Sequence, residues 1–146
     1  MNKSIRLVLF GLLAFVLTSC QDQVQQVAGT YSYKISGRAV VRRTLSNDTV
    51  TLSNEEGAMD LIRIDSTAAM MTFNVLRGPV YTTQAQIHGK QITLDPYKRN
   101  ITLGSTTYTV TASGTGEFYD NTLIVSLQYQ SNDISTDEIT LVCKKN

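Results

Sequence analysis

Histidine, cysteine and proline are scarce in this chain: one histidine, two cysteines and two prolines in 146 residues. A metal centre of imidazole and thiolate needs several ligands at fixed spacing, and His88 has no histidine or cysteine cluster around it. Beside Gly89 it reads as a solvated turn residue, and no metal or cofactor is implied. Charge of one sign is also lacking. The 13 basic and 12 acidic side chains leave a formal net charge of +1, and Arg38, Arg42, Arg43, Arg63, Arg77, Lys98 and Arg99 are scattered over several segments. That excludes a nucleic-acid footprint and an acidic tail. No segment after Cys20 keeps apolar residues at helical spacing. Gly114-Thr115-Gly116 lacks the lysine and the strand-to-helix setting of a phosphate loop and reads as a bend in a strand.

What is present begins at the N-terminus. Lys3 and Arg6 precede an apolar run from Leu7 to Leu17, about 11 residues where a membrane span needs roughly 20. Leu17-Thr18-Ser19-Cys20 closes it with compact residues before a thiol. This is the layout of a secretory signal of the bacterial lipoprotein kind, in which residues 1–19 are removed and Cys20 takes a diacylglycerol through its sulfur. Multiple acyl chains hold firmly where a single chain gives only marginal binding, so the implied partner is a membrane, reached through the N-terminal lipid. Residues 20–28 then form a lipidated, Gln-rich tether and 29–146 one domain. With Cys20 committed to lipid, no intrachain disulfide is available. Cys143, in phase with Ile139 and Leu141, reads as a small core residue.

From Gly29 onward the chain runs in period two, the mark of strands with one wet face. Tyr31, Tyr33, Ile35, Ala39 and Val41 share one side of a long strand with Gly37 as a bend. Val50 and Leu52 lead to a turn at Ser53–Gly57, and Ala58–Ile64 follows as a strand. Met71, Phe73 and Val75 alternate next, and then Tyr81, Thr83, Ala85 and Ile87. His88-Gly89-Lys90 suits a tight hairpin. Ile92 and Leu94 form a strand that Asp95-Pro96-Tyr97 stops. Tyr108, Val110 and Ala112 precede Phe118. Tyr119-Asp120-Asn121 signals a second hairpin, and Leu123 to Tyr129 is the cleanest alternation of all. Ile139, Leu141 and Cys143 end the series. The expected fold is all-β, an antiparallel up-and-down barrel of about eight strands. A two-sheet β-sandwich is the alternative. Bulky inward residues favour the barrel, whose interior they would fill.

The catalytic candidates are thin. Glu55-Glu56 and Asp137-Glu138 are adjacent carboxylates in turns, which point apart and are ordinarily solvated, whereas paired catalytic acids must face across a cleft. The tyrosines remain. Tyr31, Tyr33, Phe73, Tyr108 and Tyr129 either fill the core or wall a ligand cavity. Tyr97 and Tyr119, read as loop residues, would mark an open end.

The signal, the tether and the strand start Ala28-Gly29-Thr30-Tyr31, with Gly114 to Asn121 further on, resemble small Bacteroidetes lipoproteins with lipocalin-like or calycin-like barrels. Tyr31 stands where lipocalins carry tryptophan, a residue this chain lacks. The resemblance implies a non-enzymatic outer-membrane lipoprotein that binds a small or partly apolar molecule. The alternative is a module that binds an envelope protein. The same group attaches O-glycans at short Asp-Ser/Thr sites, which implies Thr49 and Ser66 as acceptors.

Overall fold

The computed structural model describes residues 23–42, 45–52, 54–103 and 105–146. Cys20 and residues 1–19, read above as a signal, lie outside them. A short helix, α1 (Gln23–Val27), leads into nine strands: β1 (Gly29–Arg42), β2 (Asn47–Thr51), β3 (Glu55–Arg63), β4 (Ala68–Val75), β5 (Val80–His88), β6 (Gln91–Leu103), β7 (Thr106–Tyr119), β8 (Thr122–Gln130) and β9 (Ile134–Lys145). All pairings are antiparallel. β1 pairs with β3 and also with β9, so β1 and β3–β9 close an eight-stranded ring. Closure excludes the two-sheet sandwich, because it leaves no free edges in the ring.

β2 is the supernumerary strand. The first half of β1 (Gly29–Ile35) takes β3 on one edge, and the second half (Arg38–Arg42) takes β2 on that same edge. Gly37 sits at the change, with φ 149°. A Cβ there would stand 1.9 Å from the Glu138 carbonyl oxygen, so only glycine fits the approach. The two hairpin turns read from sequence are formed. Gly89 has φ 63° and Asp120 φ 50°, the left-handed conformations such turns require.

One alternation fills the interior. Tyr31, Tyr33, Ile35, Met59, Leu61, Met71, Phe73, Ile87, Ile92, Leu94, Leu123, Val125, Leu127 and Cys143 are all buried in a single core cluster. Tyr33 meets Phe73 edge to face at 5.4 Å, and Phe73 stacks on Tyr97 at 6.0 Å, arrangements aromatic quadrupoles favour. Gly114 and Gly116 on β7 allow close approach of β8. Cβ atoms at these positions would lie 2.7 Å from the Ser126 and 2.2 Å from the Ile124 carbonyl oxygens.

Several sequence expectations need correction. Asp137-Glu138 is not a turn but part of β9. Glu55, Glu56 and Gly57 are not a turn but the start of β3. The Gln-rich tether is helical over Gln23–Val27, and Val24 is fully buried. Val24 supplies the apolar contact that the glutamines lack, and the Val24 carbonyl accepts from the Ala28 amide. Asp95-Pro96 does not stop a strand. β6 runs through it to Leu103, as a bulge in which Leu94 faces Gly114 and Tyr97 faces Ala112. Proline has no N–H to give a ladder and is tolerated at such a site. The Asp95 carbonyl is satisfied from β5 instead, by Thr83 Oγ1 at 2.8 Å. Tyr97, finally, is no loop residue but lies buried in β6.

Candidate functional site

The bulge at Asp95-Pro96 determines the site. Before it, the inward residues of β6 are Ile92 and Leu94; after it they are Tyr97, Arg99, Ile101 and Leu103. Two residues against one on β7 shift the side-chain phase by one position. Arg99, which the undisturbed alternation would place in water, therefore points into the barrel and is 2% exposed.

An arginine so deep must be paired. Glu55, at the first position of β3, reaches it: Arg99 Nη2 donates to Glu55 Oε2. Tyr33 Oη donates to the other carboxylate oxygen, Oε1, at 3.0 Å. Arg99 Cζ lies 4.8 Å from the Tyr81 ring centroid and 5.5 Å from that of Tyr129, within cation–π range of both. Arg99 Nε and Nη1 and the Tyr97 hydroxyl are buried without a hydrogen-bond partner. Burial alone would push the guanidinium down, but Tyr129, Tyr97 and Glu55 more than offset it, so Arg99 stays charged. Burial raises the Tyr33 hydroxyl well above its usual value, and Glu55 adds to the effect. Burial likewise raises Tyr97 and Tyr129. All three phenols remain protonated at neutral pH.

Above this cluster the wall opens. β5 and β6 pair only from Ala85↔Leu94 to His88↔Gln91. Beyond that they part, and the Tyr81 hydroxyl bridges the gap, donating to the Asn100 carbonyl at 3.2 Å and accepting from the Asn100 amide at 3.1 Å. β3 and β5 begin, and β4 ends, at this level. β6 and β7 rise past it. A cleft of about 520 Å³ lies between, with Arg99, Tyr129, Glu55 and Tyr81 among apolar Ile35, Leu52, Leu76 and Ile101. That volume is within the usual range for small-ligand sites. Leu76, Pro79, Asn54 and Thr107 on its rim are exposed.

The opposite end is shut. α1 lies beside the start of β1, and Tyr31 Oη hydrogen-bonds to the Val27 carbonyl at 2.5 Å. Lys145 Nζ donates to the Gln26 carbonyl at 3.0 Å.

Of the five cavity candidates from sequence, only Tyr129 lines this cleft. Tyr31 lies at the closed end, Tyr33 and Phe73 fill the middle, and Tyr108 is half-buried on β7. Tyr119 is 52% exposed at the closed end, bonded to Glu117. Glu55, expected in a solvated turn, is the partner of Arg99; Glu56 does reach water and pairs with Lys34 at 3.3 Å. Thr49 and Ser66 are exposed. His88 is exposed at the end of β5, and Cys143 is fully buried, its thiol pushed up to about 12 by burial. Sequence reasoning missed Arg99 and Tyr81. The signal that finds Arg99 is Pro96 inside an otherwise continuous alternation. Among the described residues, no group of three His, Cys, Asp or Glu side chains is placed to hold a metal.

No protein-family model matches the chain, and no curated protein does. Solved structures match in fold. EF1p2_mFAP2b bound to DFHBI is 10% identical with a TM-score of 0.53, over 86% of this chain and 98% of that one. The redesigned β-barrel b11L5F_LGL is 9% identical with a TM-score of 0.51, over 88% and 98%. The redesigned β-barrel mFAP1 bound to DFHBI is 10% identical with a TM-score of 0.51, over 86% and 100%. At such identities the likeness is one of architecture: this chain is an antiparallel up-and-down β-barrel.

Proposed function

We propose that this protein is a non-enzymatic, lipid-anchored binding module of the bacterial cell envelope, and that it takes a small, partly apolar molecule at the open end of its barrel. The observation that carries the reading is the cleft of about 520 Å³ above Arg99, apolar on its walls and polar at its base. Two of the barrels similar in fold were solved bound to DFHBI, which fits a small molecule at such a barrel but does not identify one here. The Leu17 to Cys20 run supports the anchor, with Cys20 as the acylated residue of an outer-membrane lipoprotein.

The anchor and α1 together give the barrel an orientation. Only three residues separate Cys20 from the buried Val24, at most about 14 Å of chain. The closed end therefore stands at the lipid, and the cleft opens away from it.

A second reading has its own observation. Leu76 and Val80, on either side of the β4–β5 turn beside the cleft, are 70% and 60% exposed, a pair of apolar side chains that an envelope protein could cover. Native mass spectrometry of the protein purified from its own host separates the two. A co-purifying mass of a few hundred daltons supports the ligand carrier. A stoichiometric protein with no small mass supports the second reading and rejects the first. For the anchor, Cys20→Ser is expected to leave the membrane fraction, and retention there rejects lipidation.

A further inference from the structure

The cleft ends on a guanidinium whose hydrogen-bonding capacity is largely unused. Arginine carries five N–H donors in a rigid plane. Glu55 engages Nη2, while Nη1 beside it and Nε have no acceptor. Buried donors without acceptors are uncommon and each costs stability. The two outer nitrogens of a guanidinium match the two oxygens of a carboxylate, but Glu55 does not use that match: only its Oε2 meets the guanidinium, while its Oε1 accepts from Tyr33.

Glu55 is also placed to leave. Its side chain is 21% exposed, against 1% for Arg99, and it begins β3 next to the exposed Asn54 on the cleft rim. Turning outward would return it to water at little cost. Arg99 has no such route and would need a new counter-charge. The walls leading to it are Ile35, Leu52, Leu76 and Ile101, which suit a hydrocarbon chain.

Resting on the ligand-binding reading above, we propose that the ligand is an apolar molecule headed by a carboxylate, which displaces Glu55 and takes both outer nitrogens of Arg99. Glu55 then serves as a resident substitute that keeps the empty site neutral. It also competes with the ligand, since two carboxylates on one buried cation repel.

The test is isothermal titration of decanoate and of 1-decanol, at pH 7, into the full chain carrying Cys20→Ser, so that no acyl anchor competes. Decanoate is expected to bind at least tenfold more tightly than 1-decanol. Glu55→Gln, which keeps an amide oxygen for Arg99 but removes the competing charge, is expected to raise decanoate affinity threefold or more and leave 1-decanol unchanged. Arg99→Gln should abolish the preference for the acid. If that variant does not fold, the wild-type ratio and Glu55→Gln decide. Equal affinity for the two probes, or decanoate weakened by Glu55→Gln, overturns the proposal and leaves the ligand-binding reading standing. If neither probe binds, the proposal is overturned as well, and the co-purifying mass alone decides the ligand-binding reading.

Discussion

Arg99 and Glu55 meet inside the barrel across 44 residues of sequence, and their side-chain exposures differ sharply: 1% for the arginine, 21% for the glutamate. The asymmetry makes their removal unequal. Losing the carboxylate charge strands a cation that cannot reach water; losing the arginine leaves a carboxylate that can. Glu55→Ala is expected to cost about 3 kcal/mol, the low end of what deleting one partner of a buried pair costs, because Glu55 is partly exposed. Arg99→Met, which substitutes an apolar stem of similar reach, should cost less than half of that. Urea unfolding of the two variants measures both. An arginine loss larger than the glutamate loss would mean that Arg99 is held chiefly by its tyrosines.

Gly37 and Gly89 are both at positive φ, yet substitution should separate them. At Gly37 a Cβ would lie 1.9 Å from the Glu138 carbonyl oxygen and 2.7 Å from the Ile139 Cα; at Gly89 nothing stands within 4 Å. Gly89→Ala meets only the left-handed backbone penalty, about 1–2 kcal/mol. Gly37→Ala adds a clash between backbones on β1 and β9, which neither ring strand can relieve alone. A loss of about 3 kcal/mol or more is expected, or failure to fold. Equal melting temperatures for the two variants would contradict the β1–β9 register on which ring closure depends.

The barrel was legible because most of its strands keep one phase from end to end. Tyr31 to Val41 and Leu123 to Tyr129 put their odd positions inward without interruption, and Asp120 and Gly89 mark turns by chemistry that sequence shows directly. The cleft was not legible, because it depends on a change of phase. Pro96 was readable as a strand stop, and only the pairing of Tyr97 with Ala112 shows the strand continuing with Arg99 turned inward. Glu55 was hidden for a related reason. A charged pair before a glycine has the composition of a turn, and what makes it a strand is the edge that β1 offers at Tyr33, Lys34 and Ile35. Tertiary pairing of this kind overrides local propensity. In α1, a single apolar residue, Val24, docks a segment whose composition otherwise reads as tether.

The buried acids of the core predict a steep alkaline limit. Burial raises the Cys143 thiol from 9.0 to about 12. Burial, with a smaller effect from Cys143, raises the Tyr31 hydroxyl from 10.0 to about 12. Both groups hold their protons more tightly folded than unfolded, so their contribution is complete below pH 9. It declines once the unfolded chain begins to ionise and is lost as pH rises through about 12. Each unit of pH in that window costs about 1.4 kcal/mol per group. Stability should be level from pH 7 to 9 and fall steeply above it. Cys143→Ala should be less stable at pH 7 from the lost packing, and its decline should start nearer pH 10. A decline beginning at the same pH in both proteins would show that Cys143 is not the first group to ionise.

The proposed orientation at the lipid surface predicts a gradient along the barrel. Asn121, in the β7–β8 turn, is at the α1 end, because Thr122 pairs with Lys144 and the Asn121 carbonyl accepts from the Lys145 amide. Val80, which starts β5 opposite Asn74 near the end of β4, is at the cleft end. Tilted strands of this length separate the two ends by roughly 20 Å, and the link from Cys20 to Val24 is too short to invert the barrel. Fluorophores on Asn121→Cys and Val80→Cys, each in a Cys143→Ala background, can be read in vesicles whose headgroups carry a nitroxide quencher. The Asn121 label should be quenched severalfold more than the Val80 label. Equal quenching in protein that carries the acyl mass would mean that α1 undocks at the bilayer, freeing the barrel to tumble on a longer tether; absence of the acyl mass would instead reject the anchor itself.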